Sequence, residues 1–275
     1  MKPVEYEIKP AGSLSLGLKE LWEFRELFYF FTWRDIKVKY KQTVLGFAWA
    51  ILQPLLMTGI FSVFFGKALN VPSDFIPYPV FVYSGLLLWN IFSTGITGAG
   101  NSMVTNSNII KKIYFPRLII PASSVLVALF DFAAAFLIFV GLLIYYQVPV
   151  DILKVICFMP AGLLITVIAT FGLGSLLAAL NVKYRDFRYV IPFLIQSLLF
   201  LTPVIYPLGI LRHEWMKFII ALNPMFSAIE FFRCGLTSKP VDFLFVSISM
   251  TSALLFFLFG IFYFRKTEYY FADLA

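Results

Sequence analysis

The chain has 275 residues, of which 60% are hydrophobic and only 13% charged, with a net charge of +7 and 33 phenylalanines. A soluble domain of this length is nearer half apolar and a quarter charged, so the composition excludes an ordinary water-soluble globule and points to a chain lying mostly inside a bilayer. The positive charge is spread along the sequence rather than gathered on one soluble face, which argues against nucleic acid as a partner.

Residues 14–31 are amphipathic. Leu14, Leu18, Leu21, Phe24, Phe28 and Phe31 recur at three- and four-residue steps, while Lys19, Glu23 and Glu26 fall on another face. That helical period, with Trp22, Tyr29 and Trp33 suited to the headgroup level, predicts an interfacial helix on the cytoplasmic membrane surface, packed on a partner protein, or both. Arg34, Lys37, Lys39 and Lys41 then lead into the first apolar run. They read as positive-inside anchors, or as a basic collar meeting an anionic headgroup such as a lipid diphosphate at the mouth of a path. The first 41 residues hold no short apolar run with a cleavage site, so the first span is expected to be an uncleaved anchor.

Six stretches between charges are long enough to cross a hydrocarbon core of ~30 Å, which takes about 20 helical residues. They are 42–66, 75–110, 118–150, 155–182, 189–211 and 243–264. The second half of span 2 is rich in glycine, threonine, serine and asparagine, and is expected to emerge into water. Span 3 carries Asp131. A mid-membrane carboxylate costs about 2.5–3.5 kcal/mol, so it should face protein or water, either as a structural hydrogen bond or as the lining of a polar path. Span 4 holds Gly162, Gly172 and Gly174, which allow close helix packing. Span 5 ends in Pro203 and Pro207. The outer segment 208–239 contains an apolar piece, 218–229, too short to cross and broken by Asn223-Pro224. It predicts a pair of short re-entrant helices.

Sixteen of the 22 lysines and arginines fall in 1–43, in the loops after spans 2 and 4, and in the tail, with six on the other side. The positive-inside rule therefore puts both termini in the cytoplasm. The expected architecture is an all-α integral membrane protein with an interfacial segment at 1–43, a six-helix transmembrane domain at 44–265 and a tail at 266–275. Cys157 and Cys234 are expected to be free and buried, and a structural zinc site is discounted because the chain has one histidine, His213. There is no G-x-x-x-x-G-K-[ST], H-E-x-x-H or G-x-S-x-G, and intramembrane charge is sparse. The chain is expected to carry no catalytic site and no cofactor, and to draw its energy from another subunit.

The stretch NSNIIKKIYFPRLIIP, 106–121, joins spans 2 and 3. Asn106, Ser107 or Asn108 can cap a short helix there, and Pro116 and Pro121 interrupt it. Lys111, Lys112 and Arg117 keep it at the water side, while Ile109, Ile110, Ile113, Tyr114 and Phe115 give it an apolar surface. A short rigid element with aromatic knobs and a basic rim suits a socket on a cytoplasmic partner. Candidate path-lining aromatic side chains in spans 1 and 2 are Phe47, Trp49, Phe61, Phe64, Phe65, Tyr83 and Trp89.

This stretch, with WRDIKVKYKQTVLGFAWAILQPL, NVKYRDFRYVIPFLIQSLLFLTPVIYP and ALNPM, resembles the permease subunits of bacterial ABC exporters for surface polysaccharides, namely O-antigen, capsule and teichoic acid. The resemblance covers nearly the whole chain. It implies an inner-membrane homodimer that exports lipid-linked polysaccharide and docks two copies of an ATP-binding subunit, which would hold the ATP and magnesium. It implies that 106–117 is the coupling helix, with Asn108, Ile109, Ile110, Lys111, Lys112, Tyr114, Phe115, Pro116 and Arg117 at the ATPase. Spans 1 and 5 would face the dimer axis and 208–239 would form an outer gate. The rivals are a related permease for a lipid, drug or other small amphiphile, a polyprenyl-phosphate membrane enzyme, and an ion-coupled transporter.

Overall fold

The computed structural model describes residues 18–41, 43, 46–73, 76–237, 241–268 and 271. The part of the expected interfacial helix before Leu18, and most of the tail, lie outside these residues.

The described residues are almost wholly helical. Two helices, α1 (Leu18–Glu23) and α2 (Arg25–Tyr40), precede the first span. The basic stretch 34–40 is therefore a continuation of the interfacial helix rather than the start of span 1. Span 1 is α3 (Ala48–Phe61), carried on by a wider π-helical turn, Ser62–Ala68. Then come α4 (Tyr78–Thr105), the four-residue α5 (Ser107–Ile110), α6 (Ile119–Tyr145) and α7 (Ile152–Lys183). Asp151 caps α7, accepting from the backbone N–H groups of Leu153 and Lys154. The chain closes with α8 (Phe187–Leu201), α9 (Glu214–Ala221), α10 (Pro224–Cys234) and α11 (Phe243–Glu268).

Among the described residues, five helices are long and apolar enough to cross a membrane, and a sixth span arises if the bent α9–α10 pair counts as one. Span 5 is shorter than its hydropathy suggests. α8 has 15 residues, about 22 Å of rise against the ~30 Å core. It stops because Pro203 forces Thr202 into extended backbone, at φ −106° and ψ 136°. α9 and α10 follow, bent by 96° at Asn223-Pro224. Asn223 accepts from the Met225 N–H and Pro224 takes the first helical position, so the break is also a well-made helix start.

The core is built around α4, which packs on α6, α7, α3, α8 and α10. Its outer half, Val80–Trp89, is buried on every side. α7 packs on α11 and α10 as well. The α7–α11 crossing depends on two glycines, because a Cβ at Gly260 would stand 2.0 Å from the Gly172 carbonyl oxygen. Cys234 is buried, but Cys157 is exposed, a correction to the expectation that both were interior. Cys157 lies near the start of α7, three residues after the exposed stretch Asp151–Lys154.

The end of the bundle that carries the α9–α10 bend is held by Arg233 on α10, 3% exposed. Its guanidinium donates to Ser84 Oγ at 3.2 Å and to the carbonyls of Pro203, Phe81 and Val204 at 2.7, 2.9 and 2.8 Å. It also lies 3.6 Å above the Phe81 ring. Gly85 makes room for it, since a Cβ there would meet the guanidinium at 2.7 Å. Lysine has the charge but not the planar fork that reaches several acceptors at once. Arg233→Lys should therefore lose about 2 kcal/mol or more of stability, because buried carbonyls are left unpaired. Heating in detergent and measuring the fraction that stays monodisperse will check this; a wild-type transition temperature would show the fork is dispensable.

Candidate functional site

The stretch between α4 and α6 forms a short element facing away from the bundle. Asn106 occupies the N-cap position of α5 but does not cap it with its side chain. Instead its amide nitrogen donates to the Ser102 carbonyl at 2.8 Å, and its amide oxygen accepts from Arg34 at 2.8 Å. Asn106 therefore fastens the element to α4 and α2. Arg34 also bonds Asp35 at 2.7 Å and lies 4.8 Å above the Phe31 ring. On the other flank, the Arg117 N–H donates to Glu268 Oε1 at 2.9 Å, and its guanidinium donates to the Glu268 carbonyl. Glu268 in turn pairs with Arg265 at 3.1 Å.

The predicted coupling residues divide into knobs and anchors. Asn108, Lys111, Lys112 and Tyr114 are exposed, together with Ile113 at 62%. Ile110, Phe115 and Pro116 are buried, and Phe115 packs on Phe31 at 5.6 Å. Ile109 and Arg117 are half-buried. The apolar residues of this stretch thus do two jobs, and sequence periodicity cannot separate them over so short a run.

A second site lies where the end of α2 meets α3, α4 and α6. Lys39 and Tyr40 reach Asp131, the lone carboxylate of span 3, by an ion pair and a hydrogen bond. Burial, and then the Asp131 carboxylate, push the Tyr40 phenol well above its ordinary pKa, so it remains the donor. These groups line a cavity of about 410 Å³ together with Trp49, Gln53 and Asn90. A second, shallower hollow runs on from it past Thr94 and Gly98 to Asn106. Along this side α4 shows a polar stripe, with Thr94, Thr97 and Thr105 exposed and Asn90 and Asn101 half-buried. Asp131 satisfies both earlier readings at once, being bonded and also lining a polar hollow.

The basic collar is split. Arg34 and Lys39 are engaged with Asn106 and Asp131, whereas Lys37 lies 5.3 Å above the Trp33 ring and Lys41 is exposed. Among the aromatic candidates, Trp49 lines the cavity. Phe47 is exposed beside it and packs on Tyr40 and Phe130. Phe61 and Phe65 pack on each other, and Phe64 is exposed. Tyr83 and Trp89 are corrections: they are 0% and 4% exposed, inside the single-chain core. Tyr83 donates to the Ala135 carbonyl at 2.9 Å and stacks on Phe139, and Trp89 packs on Phe92. Gln53 and Asn90 were missed, because an isolated amide within an apolar run carries no periodic signal.

Several apolar helices of membrane-crossing length, a polar hollow and an exposed element at one end fit a multi-pass membrane protein. The chain belongs to the ABC-2 type transporter family, whose sequence model matches residues 26–237. It is similar to the O-antigen export system permease protein RfbA of Klebsiella pneumoniae, 30% identical over 90% of this chain and 95% of that protein. It is 31% identical to the RfbA of the same description from Myxococcus xanthus, over 78% and 82%. It is 21% identical to the polysialic acid transport protein KpsM of Escherichia coli, over 73% and 77%. As a member of this family the chain is a multi-pass permease subunit and not itself catalytic.

The two clamps on the 106–117 element predict its local stability. Arg34→Ala should speed amide exchange across 106–117 by about tenfold, the loss of one charge-assisted hydrogen bond, and leave α7 unchanged. Exchange by mass spectrometry reads this directly, and unaltered rates in 106–117 would remove Arg34 from the clamp.

Proposed function

We propose that this chain is the transmembrane subunit of an ATP-driven exporter that moves lipid-linked polysaccharide across the bacterial inner membrane, with both termini in the cytoplasm. Two copies form the path and each docks one ATP-binding subunit, which holds the ATP and magnesium. The observation that carries this reading is the clamped element 106–117. It offers Asn108, Lys111, Lys112, Ile113 and Tyr114 outward while Phe31, Arg34 and Glu268 hold it from behind. A knob that is rigidly backed transmits a push, whereas a free loop absorbs it. The names of the relatives support polysaccharide as the cargo.

The second copy is supported by what one copy leaves uncovered. α3 exposes Trp49, Leu56, Met57, Ile60 and the following Val63 and Phe64, and α8 exposes Tyr189, Phe193 and Phe200. Between these helices α4 shows its polar stripe. Its threonine hydroxyls and the Asn101 amide donate to carbonyls of their own helix, but their oxygens keep acceptor positions that water can satisfy and lipid cannot. Closing two such faces on each other would enclose the stripe in a wet path flanked by aromatic rings. ATP-driven approach of the partner subunits would move both 106–117 elements and open that path. Export of a lipid, drug or other small amphiphile is the rival reading.

Depleting the chain in its host should remove polysaccharide from the surface and accumulate polymer inside. Unchanged surface polysaccharide in a host with no second exporter would favour the amphiphile reading. The double variant Lys111→Glu, Lys112→Glu should bind the ATP-binding subunit roughly tenfold more weakly, because reversing rim charges opposes docking. Co-purification from detergent measures this, and undiminished recovery would move the docking site elsewhere.

A further inference from the structure

The cavity above Asp131 carries a more specific chemistry than a passage needs. We propose that it is a binding site for one or two neutral sugar residues of the exported polymer, a reading that rests on the export function above. Its volume, about 410 Å³, falls in the range of small-molecule sites. Its polar groups are mixed and balanced. Lys39 is a donor and Asp131 an acceptor, and their charges cancel. Asp131 has more acceptor positions than the bonds from Lys39 and Tyr40 occupy, and the Lys39 ammonium has donors to spare. The side-chain amides of Gln53 and Asn90 also line the cavity, and neither hydrogen-bonds another described residue. Each amide offers both a donor and an acceptor. Trp49, half-exposed, supplies an aromatic face.

That set matches a sugar ring. Vicinal hydroxyls need donors and acceptors side by side, and charged partners make the stronger hydrogen bonds. The apolar face of the ring needs a flat aromatic surface. A phosphate or diphosphate would need surplus positive charge, and here Asp131 neutralises Lys39. An acyl chain would leave the Gln53 and Asn90 amides without partners, at a cost for each. The site also adjoins the polar stripe of α4 through Thr94, so a bound sugar sits at the start of the wet track.

The test uses the full chain in lipid nanodiscs and two probes. One is oligosaccharide cut from the host's own surface polysaccharide and freed of lipid and phosphate. The other is inorganic diphosphate. Wild-type protein should bind the oligosaccharide. Asp131→Asn, Lys39→Gln and Trp49→Ala should each weaken it by about tenfold, the size expected from one strong contact, and Trp49→Phe should restore most of the affinity. Monodispersity of each variant checks folding, and three separate side chains keep the test open if one variant fails to fold. Equal affinity in wild type and every folded variant would put sugar binding elsewhere and overturn the site. Diphosphate binding that Lys39→Gln abolishes, with no oligosaccharide binding, would make it a headgroup site instead. No binding of either probe to wild type would also overturn it. The depletion experiment judges export separately, so a host that loses surface polymer while the variants bind normally rejects only this site.

Discussion

The end of the bundle that carries the α9–α10 bend depends on one buried guanidinium. Arg233 would be prohibitively costly in an apolar interior on its own. The break of α8 at Pro203 would be costly too, since it frees carbonyls that no water reaches. Each cost offsets the other. The Arg233 fork takes the Pro203 and Val204 carbonyls, adds the Phe81 carbonyl of α4, and rests on the Phe81 ring. This allows span 5 to stop short and the chain to turn back through α9 and α10. Asn223 completes the arrangement by donating to Thr202 Oγ1 at 2.7 Å, which ties the bend of the α9–α10 pair to the end of α8.

The opposite end of the bundle uses the same logic with different residues. Arg34 and Arg117 are spent on Asn106 and Glu268 rather than left in solvent, and they fix the element 106–117 between α2 and the end of α11. The lysines at 111 and 112 make no such bonds to other described residues and stay outward. Arginine suits the anchoring role because its planar fork binds several oxygens, and lysine suits an exposed rim because it is a compact, well-hydrated charge.

Much of this was legible in the sequence because lipid imposes a simple rule on composition. Long apolar runs located five of the six expected spans to within about six residues, while the fifth run, 189–211, overshot α8 by ten. Asn223-Pro224 marked the bend, and the residues of 106–117 marked a structured element between α4 and α6. The rest depends on which face of a helix meets which neighbour. α4 is apolar all round over Val80–Trp89, so no periodicity distinguishes Tyr83 and Trp89, which are core, from side chains that face a path. Asp131 announced that it needed a partner, but Lys39 and Tyr40 stand about 90 positions away, and only packing of α2 on α6 brings them together. Arg233 was counted as an outer-loop charge because nothing local reveals that four oxygens surround it.

The placement of α2 gives the two sites a mechanical relation. Arg34 holds the element 106–117, and Tyr40, six residues on and about 9 Å along the axis, touches Asp131. Asp131 itself lies about 18 Å along α6 from Ile119, so α2 spans from the cytoplasmic element to the wall of the cavity. α2 ends at Tyr40 and α3 begins at Ala48, with Gly46 at φ +49° between them. α2 and α3 are thus separate elements, joined where a glycine adopts a left-handed backbone. α4, by contrast, packs on α3, α6, α7, α8 and α10 and is buried all round over Val80–Trp89. α2 thus contacts both sites, the element 106–117 through Arg34 and the cavity wall through Lys39 and Tyr40, while Asn106 ties the same element to α4 through the Ser102 carbonyl.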